Sequence, residues 1–352
     1  MTDTDTTGAE ETIWEQVIPR RDAPPPADKV AATRGTDPSA APEDLPYELA
    51  DRPEPPPVPN GWYAICSSDE LPVGAVHSSI AVARELVAFR GTDGAAHVID
   101  AHCPHMGAHL GGGDVRGDNL ACPYHGWRFG GDGAVKEIPY SDGRIPAKAC
   151  VRSYPVHEVN GMVLFWHHAG GVAPQWEVPH VHEIDDPAFT DAIVYRTEFV
   201  ASLQDMAENN VDYTHFYFVH GRAGLDESTS KFTTDGPISQ VVETFEDDGL
   251  TFTRWTYGPG IALLRVPDLM TVLTATTPVD RRHVRLLWHF YLPQAMVPVA
   301  AEVVDGVTGA YGLSADKPIW RDKVFLERPL LVKGDGPISE FRRWYAQFYE
   351  GT

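Results

Sequence analysis

The sequence predicts an α+β chain with two folded units: a small all-β domain, then an antiparallel sheet with helices packed against it. Three observations predict it. Residues 61–168 break into short apolar runs separated by turn residues, the spacing of a compact all-β domain. Residues 240–293 hold longer strand-like runs in succession, with helical patterning before and after them. The chain has 352 residues and 43% hydrophobic content, which allows roughly two domains with sizeable cores.

Residues 1–58 carry Pro24-Pro25-Pro26 and Pro55-Pro56-Pro57, 13 acidic against 5 basic residues, and little apolar periodicity. That composition reads as a disordered or extended tail. Within it Ile13, Trp14 and Val17 could dock as a short helix over Thr12–Val17. The first domain is expected over 59–169. Its strands are expected at Ser79–Ala83, Leu86–Arg90, His97–Asp100 and Met162–His167, with breaks at Arg84-Glu85, Gly91–Gly94 and Asn160-Gly161. Gly170-Gly171 to Pro179 reads as a linker, and the second domain is expected over 170–352. There Ala192–Leu203 reads as a strand running into a helix, and Gln204–Val219 as helix. Gln240–Phe245, Leu250–Tyr257, Ile261–Leu264, Met270–Pro278 and Val284–Pro293 follow as strands. Phe341, Trp344, Phe348 and Tyr349 recur at helical spacing near the end. No internal repeat interrupts this order.

A net charge of −22 argues against nucleic-acid and anionic-membrane partners, which need clustered Lys and Arg. The charge is uneven: residues 101–152 carry 6 basic and 5 acidic residues, so an acidic electron-delivering partner would be steered there. No apolar run reaches the roughly 18 residues of a membrane span, and the polar, acidic N-terminus does not read as a secretory signal. There are 4 cysteines, too few for a disulfide scaffold. A reducing, cytoplasmic compartment is expected.

Cys103-Pro104-His105 and Cys122-Pro123-Tyr124-His125 are the first chemical signal. Two thiolates and two imidazoles in paired segments make a metal site. Zinc sites also use two Cys and two His, but usually as a Cys pair followed by a His pair. One Cys and one His per segment is the arrangement of a Rieske [2Fe-2S] centre, in which one iron takes two Cys and the other two His. Gly107, Gly111, Gly112, Gly113, Gly126 and Gly130 allow close loop approach, and Trp127 and Phe129 can shield the site. His102 and His109 read equally well as neighbours of the cluster or as solvated loop residues.

The second signal is Glu208-Asn209-Asn210-Val211-Asp212-Tyr213-Thr214-His215-Phe216-Tyr217-Phe218-Val219-His220. Asp212 and His215 are i,i+3 and share a helix face. His215 and His220 are i,i+5, so both can face one ion only if the helix distorts or ends near Phe218. Two His and one carboxylate form the facial triad of non-haem Fe(II) oxygenases. Taken singly, each histidine also fits a satisfied core position.

Both signals resemble Rieske non-haem iron oxygenases. The match to the Rieske domain runs from Gly61-Trp62-Tyr63 to Phe165-Trp166. Ser314-Ala315-Asp316-Lys317-Pro318-Ile319-Trp320, Gly334-Asp335-Gly336-Pro337 and Arg342-Arg343-Trp344-Tyr345 resemble the steroid 9α-hydroxylase oxygenase and sterol 7-desaturase branch. The resemblance implies a helix-grip catalytic domain and a [2Fe-2S] cluster on Cys103, His105, Cys122 and His125. It implies a mononuclear Fe(II) on His215, His220 and a downstream Asp, with Asp316 the candidate and Asp322 the runner-up. Asp212 would bridge the iron to a cluster histidine of the next protomer, and Asn209 would lie near the iron. The implied partners are O2, an apolar small molecule, and a ferredoxin or flavin-dependent reductase, acting on a head-to-tail homotrimer. Monohydroxylation of a steroid-like or polycyclic substrate is the expected reaction. Desaturation, N-oxygenation or oxidative cyclisation of a secondary metabolite fits the same scaffold, and a pure electron-transfer protein is the reading from another class.

Overall fold

The computed structural model describes residues 53–222, 225, 230–246 and 249–351. The expected tail, with Thr12–Val17 inside it, lies outside the described residues up to position 52.

The first part of the chain holds strands β1 (Gly61–Ser67), β2 (Val76–Ala81), β3 (Arg84–Arg90), β4 (Ala96–Asp100), β5 (Asp114–Arg116) and β6 (Asn119–Ala121). β7 (Arg128–Phe129), β8 (Val135–Glu137), β9 (Ser153–Tyr154), β10 (Val156–Val159) and β11 (Met162–His167) follow. They pair into sheets of order β1-β11-β10, β2-β3-β4-β9 and β5-β6-β7-β8. The β10–β11 hairpin turns at Asn160-Gly161, with φ of 58° and 71°, the left-handed pair that a two-residue hairpin requires. The β2–β3 turn falls at Val82-Ala83 rather than at Arg84-Glu85. Both residues take positive φ, which disfavours a β-branched side chain. Their N–H groups donate to the carbonyls of Pro278 (2.7 Å) and Val279 (2.8 Å) in the second domain. A tertiary contact thus holds a turn that local preference opposes.

The second part begins with β12 (Ile193–Val200), α1 (Leu203–Glu208) and α2 (Tyr213–Phe218). β13 (Lys231–Asp235), β14 (Ile238–Thr244), β15 (Thr251–Tyr257), β16 (Ile261–Val266), β17 (Met270–Pro278) and β18 (His283–Tyr291) complete a seven-stranded sheet of order β12-β18-β17-β16-β15-β14-β13. Then come α3 (Ala300–Thr308), α4 (Leu313–Asp322) and α5 (Ile338–Tyr345). β17 is buried at nearly every position, as expected of a strand covered on both faces. Ile261, Leu263, Leu273 and Ala275 pack with Trp62 and Trp166 of the first domain and Val178 of the linker. Val272, Trp288 and Phe290 pack with Leu203, Val303, Leu313 and Trp320 of the helical side.

The helix expected over Gln204–Val219 is two helices. Ser202 caps α1 by accepting from the Asp205 N–H at 3.1 Å. Asp212 caps α2 by accepting from the His215 N–H at 3.1 Å. The intervening Asn209-Asn210-Val211-Asp212 is rich in side chains that compete with helical hydrogen bonds and favour caps. α1 is tied to α5 by Arg342, which donates to both carboxylate oxygens of Glu208 at 2.8 and 2.9 Å. Among the described residues, no helix is long and apolar enough to cross a membrane.

Candidate metal centres

Cys103 and His105 sit on the loop after β4, and Cys122 and His125 on the loop after β6. The loops repeat one hydrogen-bond pattern. Cys103 N–H donates to the Ala108 carbonyl and Gly107 N–H returns to Cys103, while Cys122 N–H donates to Trp127 and Gly126 N–H returns to Cys122. Gly107 and Gly126 close these turns at φ of 76° and 70°, where a side chain would be strained. The cysteines are buried and lie against each other, and the His105 and His125 rings meet at 4.6 Å. Burial pushes the Cys103 thiol up, the His105 N–H pulls it down, and Cys122 beside it raises it again; the net shift is upward. His105 stacks on Trp127 at 4.7 Å and 9°, and Trp127 Nε1 donates to the Tyr140 hydroxyl. Among the described residues, His125 Nδ1 is buried with no hydrogen-bond partner. Paired thiols on one side, paired imidazoles on the other and an orphaned ring nitrogen fit a two-iron cluster with split ligation. His109 accepts from the Gly111 N–H at 3.0 Å, and both His109 and His102 approach Glu85 at 3.3 and 3.4 Å.

The second centre joins residues far apart in the chain. Ligand atoms of His215, His220 and Asp316 lie within 4.8 Å of one another. α2 ends at Phe218, and the chain then turns so that the His215 and His220 rings meet at 5.0 Å. His215 Nδ1 faces the Asp212 carbonyl, and His220 Nδ1 faces the Tyr311 carbonyl at 2.9 Å. Each ring therefore donates from Nδ1 and keeps the Nε2 lone pair for a metal. His220 Nε2 is 3.5 Å from Asp316 Oδ2. Burial, assisted by the Arg254 charge, lowers His215 to about 4; burial, then His215 and Arg254, lower His220 to about 3. Both rings are thus neutral and able to ligate. Burial pushes Asp316 up to about 8, against the pull of the Asn209 amide. Two neutral imidazoles and a buried carboxyl that meets no counter-charge among the described residues form a set that a divalent cation completes.

Asn209 links this set to α4. Its Nδ2 donates to Asp316 Oδ1 at 3.2 Å, and its Oδ1 accepts from Trp320 Nε1 at 3.4 Å. Asp322 is placed elsewhere, paired with Arg321 at 3.0 Å. The Asp212 carboxylate stands 4.0 Å from His215 Nδ1, so the Asp212 backbone holds the ring and its side chain caps the helix. Burial is the main cause that raises the Asp212 carboxyl.

A cavity of about 250 Å³ opens on this centre, lined by His215, His220 and Asp316 together with Met206, Leu264, Met270, Val272, Trp288 and Trp320. Arg254 also lines it, pairs with the fully buried Glu243, and lies 5.5 Å from the Phe216 ring centre. Burial pushes Glu243 up to about 7 despite the attraction of Arg254. A larger groove of about 660 Å³, lined by Glu70, Arg196, Glu198 and Arg285, contains none of the metal donors. The carbonyls of Asp212 and Tyr311 were invisible to a reading of side chains. Arg254 carried a signal, since strand alternation sets it on one face with Phe252 and Thr256.

Residues 61–155 match the Rieske [2Fe-2S] domain, and residues 165–349 match the 3-ketosteroid 9α-hydroxylase C-terminal domain. The chain is 34% identical to cholesterol 7-desaturase nvd 1 of Ciona intestinalis, over 84% of this chain and 69% of that protein. It is 32% identical to the probable 3-ketosteroid-9-alpha-monooxygenase oxygenase component of Rhodococcus rhodochrous, over 82% of this chain and 79% of that one. Dicamba monooxygenase bound to dicamba shares the fold, with a TM-score of 0.68 and 19% identity over 83% of this chain and 97% of that chain.

Proposed function

We propose a steroid-oxidising activity for this chain, which belongs to the Rieske non-haem iron oxygenase family. The observation that carries the reading is the buried His215, His220 and Asp316 set opening on an apolar cavity. When bound, the [2Fe-2S] cluster supplies single electrons and the mononuclear iron supplies O2 activation. Cys103, Cys122, His105 and His125 hold the first group, and His215, His220 and Asp316 hold the second. The remaining work belongs to the protein. Backbone carbonyls of Asp212 and Tyr311 orient the two imidazoles, and Asn209 and Trp320 orient Asp316. Phe216, Leu264, Met270 and Val272 exclude water and bind the substrate skeleton by apolar contact.

The Rhodococcus relative is named a monooxygenase and the Ciona relative a desaturase. Hydroxylation is the primary reading and desaturation the second. An assay with a surrogate reductase, O2 and a steroid panel separates them, because hydroxylation adds one oxygen while desaturation removes two hydrogens. Absence of any steroid product from iron-loaded protein with a reducible cluster overturns the steroid assignment. Iron analysis gives about three irons per chain for an oxygenase and about two for a pure electron-transfer protein.

As an oxygenase component the chain draws electrons from a reductase or ferredoxin. A head-to-tail homotrimer is supported by exposed apolar side chains at both ends of the electron route. Met106, Tyr124 and Tyr140 are 60–63% exposed around the cluster loops, and Tyr217 and Phe218 are 51% and 60% exposed on α2 beside Asp212. In that ring Asp212 carries the contact between a neighbour's cluster and His215. Sedimentation at the mass of a single chain overturns the trimer. A cytoplasmic location agrees with four cysteines that form no disulfide.

A further inference from the structure

We propose that Thr256 and Thr276 offer two hydroxyl positions at one end of the cavity, either of which can hold a neutral oxygen, a carbonyl or hydroxyl, of the substrate and so orient it; this rests on the steroid reading above. The floor of the cavity is the seven-stranded sheet, and its roof carries the metal donors. Along β17 the cavity is lined by Met270, Val272, Thr274 and Thr276, every second residue. At about 3.3 Å per residue this floor runs roughly 20 Å. Its chemistry changes along that length, from thioether and aliphatic to hydroxyl. The cross-strand register places Val272 opposite Leu264 and Leu264 opposite Arg254. One step further, Thr274 stands opposite Ala262 and Ala262 opposite Thr256. Thr276 N–H donates to the Gly260 carbonyl. The hydroxyl-bearing residues therefore surround the small Gly260 and Ala262, which also line the cavity.

Threonine is common in strands, and that alone would explain one of these residues. The hydroxyls need more. Thr256 and Thr276 are 6% and 8% exposed, so water reaches them only through the cavity. Among the described residues neither hydroxyl makes a hydrogen bond to protein, and both residues line the cavity. Thr274 differs, because its hydroxyl donates to the Ala262 carbonyl at 3.2 Å. A buried hydroxyl left without a partner is unfavourable, and a ligand oxygen satisfies it. The ligand oxygen is neutral. Two cations line the cavity, Arg222 and Arg254; Arg254 is paired with Glu243 and Arg222 packs over the Phe245 and Phe252 rings, so both are engaged away from the threonine hydroxyls. An apolar skeleton held by one oxygen presents a fixed carbon to the metal donors on the roof.

The test compares androst-4-en-3-one with its hydrocarbon counterpart androst-4-ene, binding to the intact holoprotein. Quenching of tryptophan fluorescence reads binding without turnover, since Trp288 and Trp320 line the cavity. The unaltered protein is expected to bind the ketone about tenfold more tightly, the worth of one neutral hydrogen bond. In the double variant Thr256→Val, Thr276→Val the two ligands bind alike, and ketone oxidation spreads over more than one carbon. The double variant Thr256→Ser, Thr276→Ser keeps the hydroxyls and keeps the preference. A tenfold preference that survives the valine pair overturns the inference, as does its loss in the serine pair or its absence from the unaltered protein. Each of these leaves the steroid reading standing. Failure of both ligands to bind removes the steroid reading and this inference together.

Discussion

The two candidate centres are built in opposite ways. The cluster donors lie between Cys103 and His125, on two loops with the same backbone hydrogen bonds, and their rim is open, with Tyr124 60% exposed. The His215, His220 and Asp316 side chains are only 11%, 12% and 8% exposed, and they meet because α2 and α4 converge. The difference follows from the work of each centre. Electrons arrive from another protein, so a thin wall serves the cluster. Reactive chemistry must exclude water, so the iron site is enclosed and depends on tertiary packing. The cluster is therefore expected to tolerate disturbance of the helical layer, and the iron site is not.

The strongest test separates the two centres outright. Cys122→Ser removes the visible absorption of the cluster and turnover together. His215→Ala removes turnover and one iron per chain while the cluster spectrum persists. If His215→Ala keeps full turnover, the iron assignment fails. Next in size is Arg342→Met, which removes the two-pronged partner of the buried Glu208 between α1 and α5 and leaves it Lys323 at 3.9 Å and the Gln204 amide at 3.0 Å. Full unpairing of a buried charge costs about 3–5 kcal/mol, and Lys323 and Gln204 offset part of that. The mononuclear iron is expected to be lost at a lower temperature than the cluster, and simultaneous loss would show that the regions are not independent. Smaller again is Asn209→Ala. It frees Asp316 on one side and is expected to weaken iron binding by about 10–100-fold without changing the cluster spectrum. Chelator titration reads this directly.

The same contrast explains what the sequence made legible. The cluster could be read whole because its donors, spacing and turn glycines are contiguous. The hairpin at Asn160-Gly161 was legible for the same reason. In the second centre, His215 and His220 could be read, and so could the need for the helix to end near Phe218. The break at Asn209–Asp212 was missed because apolar periodicity continued through it, although its Asn and Asp residues were a capping signal. The turn at Val82-Ala83 lay beyond local reading, since backbone bonds to Pro278 and Val279 hold it. Asp316 was chosen over Asp322 only by family resemblance. Asn209 and Trp320 explain its placement, and that contact spans 107 positions.

The smallest effect tests how the iron-site sheet is anchored. Glu183, just after the linker, accepts from Arg265 at 2.6 and 2.9 Å and from Thr271 at 2.9 Å. Burial pushes its carboxyl up, but Arg265, backbone N–H and Thr271 outweigh that and bring it down to about 2. A carboxyl held below its ordinary value contributes stability above the ordinary carboxylate range, near pH 4.5. That contribution declines as pH falls from there toward 2. Glu183→Gln is expected to cost on the order of 1–3 kcal/mol at neutral pH, the worth of hydrogen bonds to a charged group. The gap between the unaltered protein and this variant should stay constant above about pH 5 and shrink steadily in acid. Melting curves of both proteins across that range read the gap, and other carboxylates cancel because both proteins share them. A gap that widens as the pH falls would mean that the ionised Glu183 is not what stabilises the sheet.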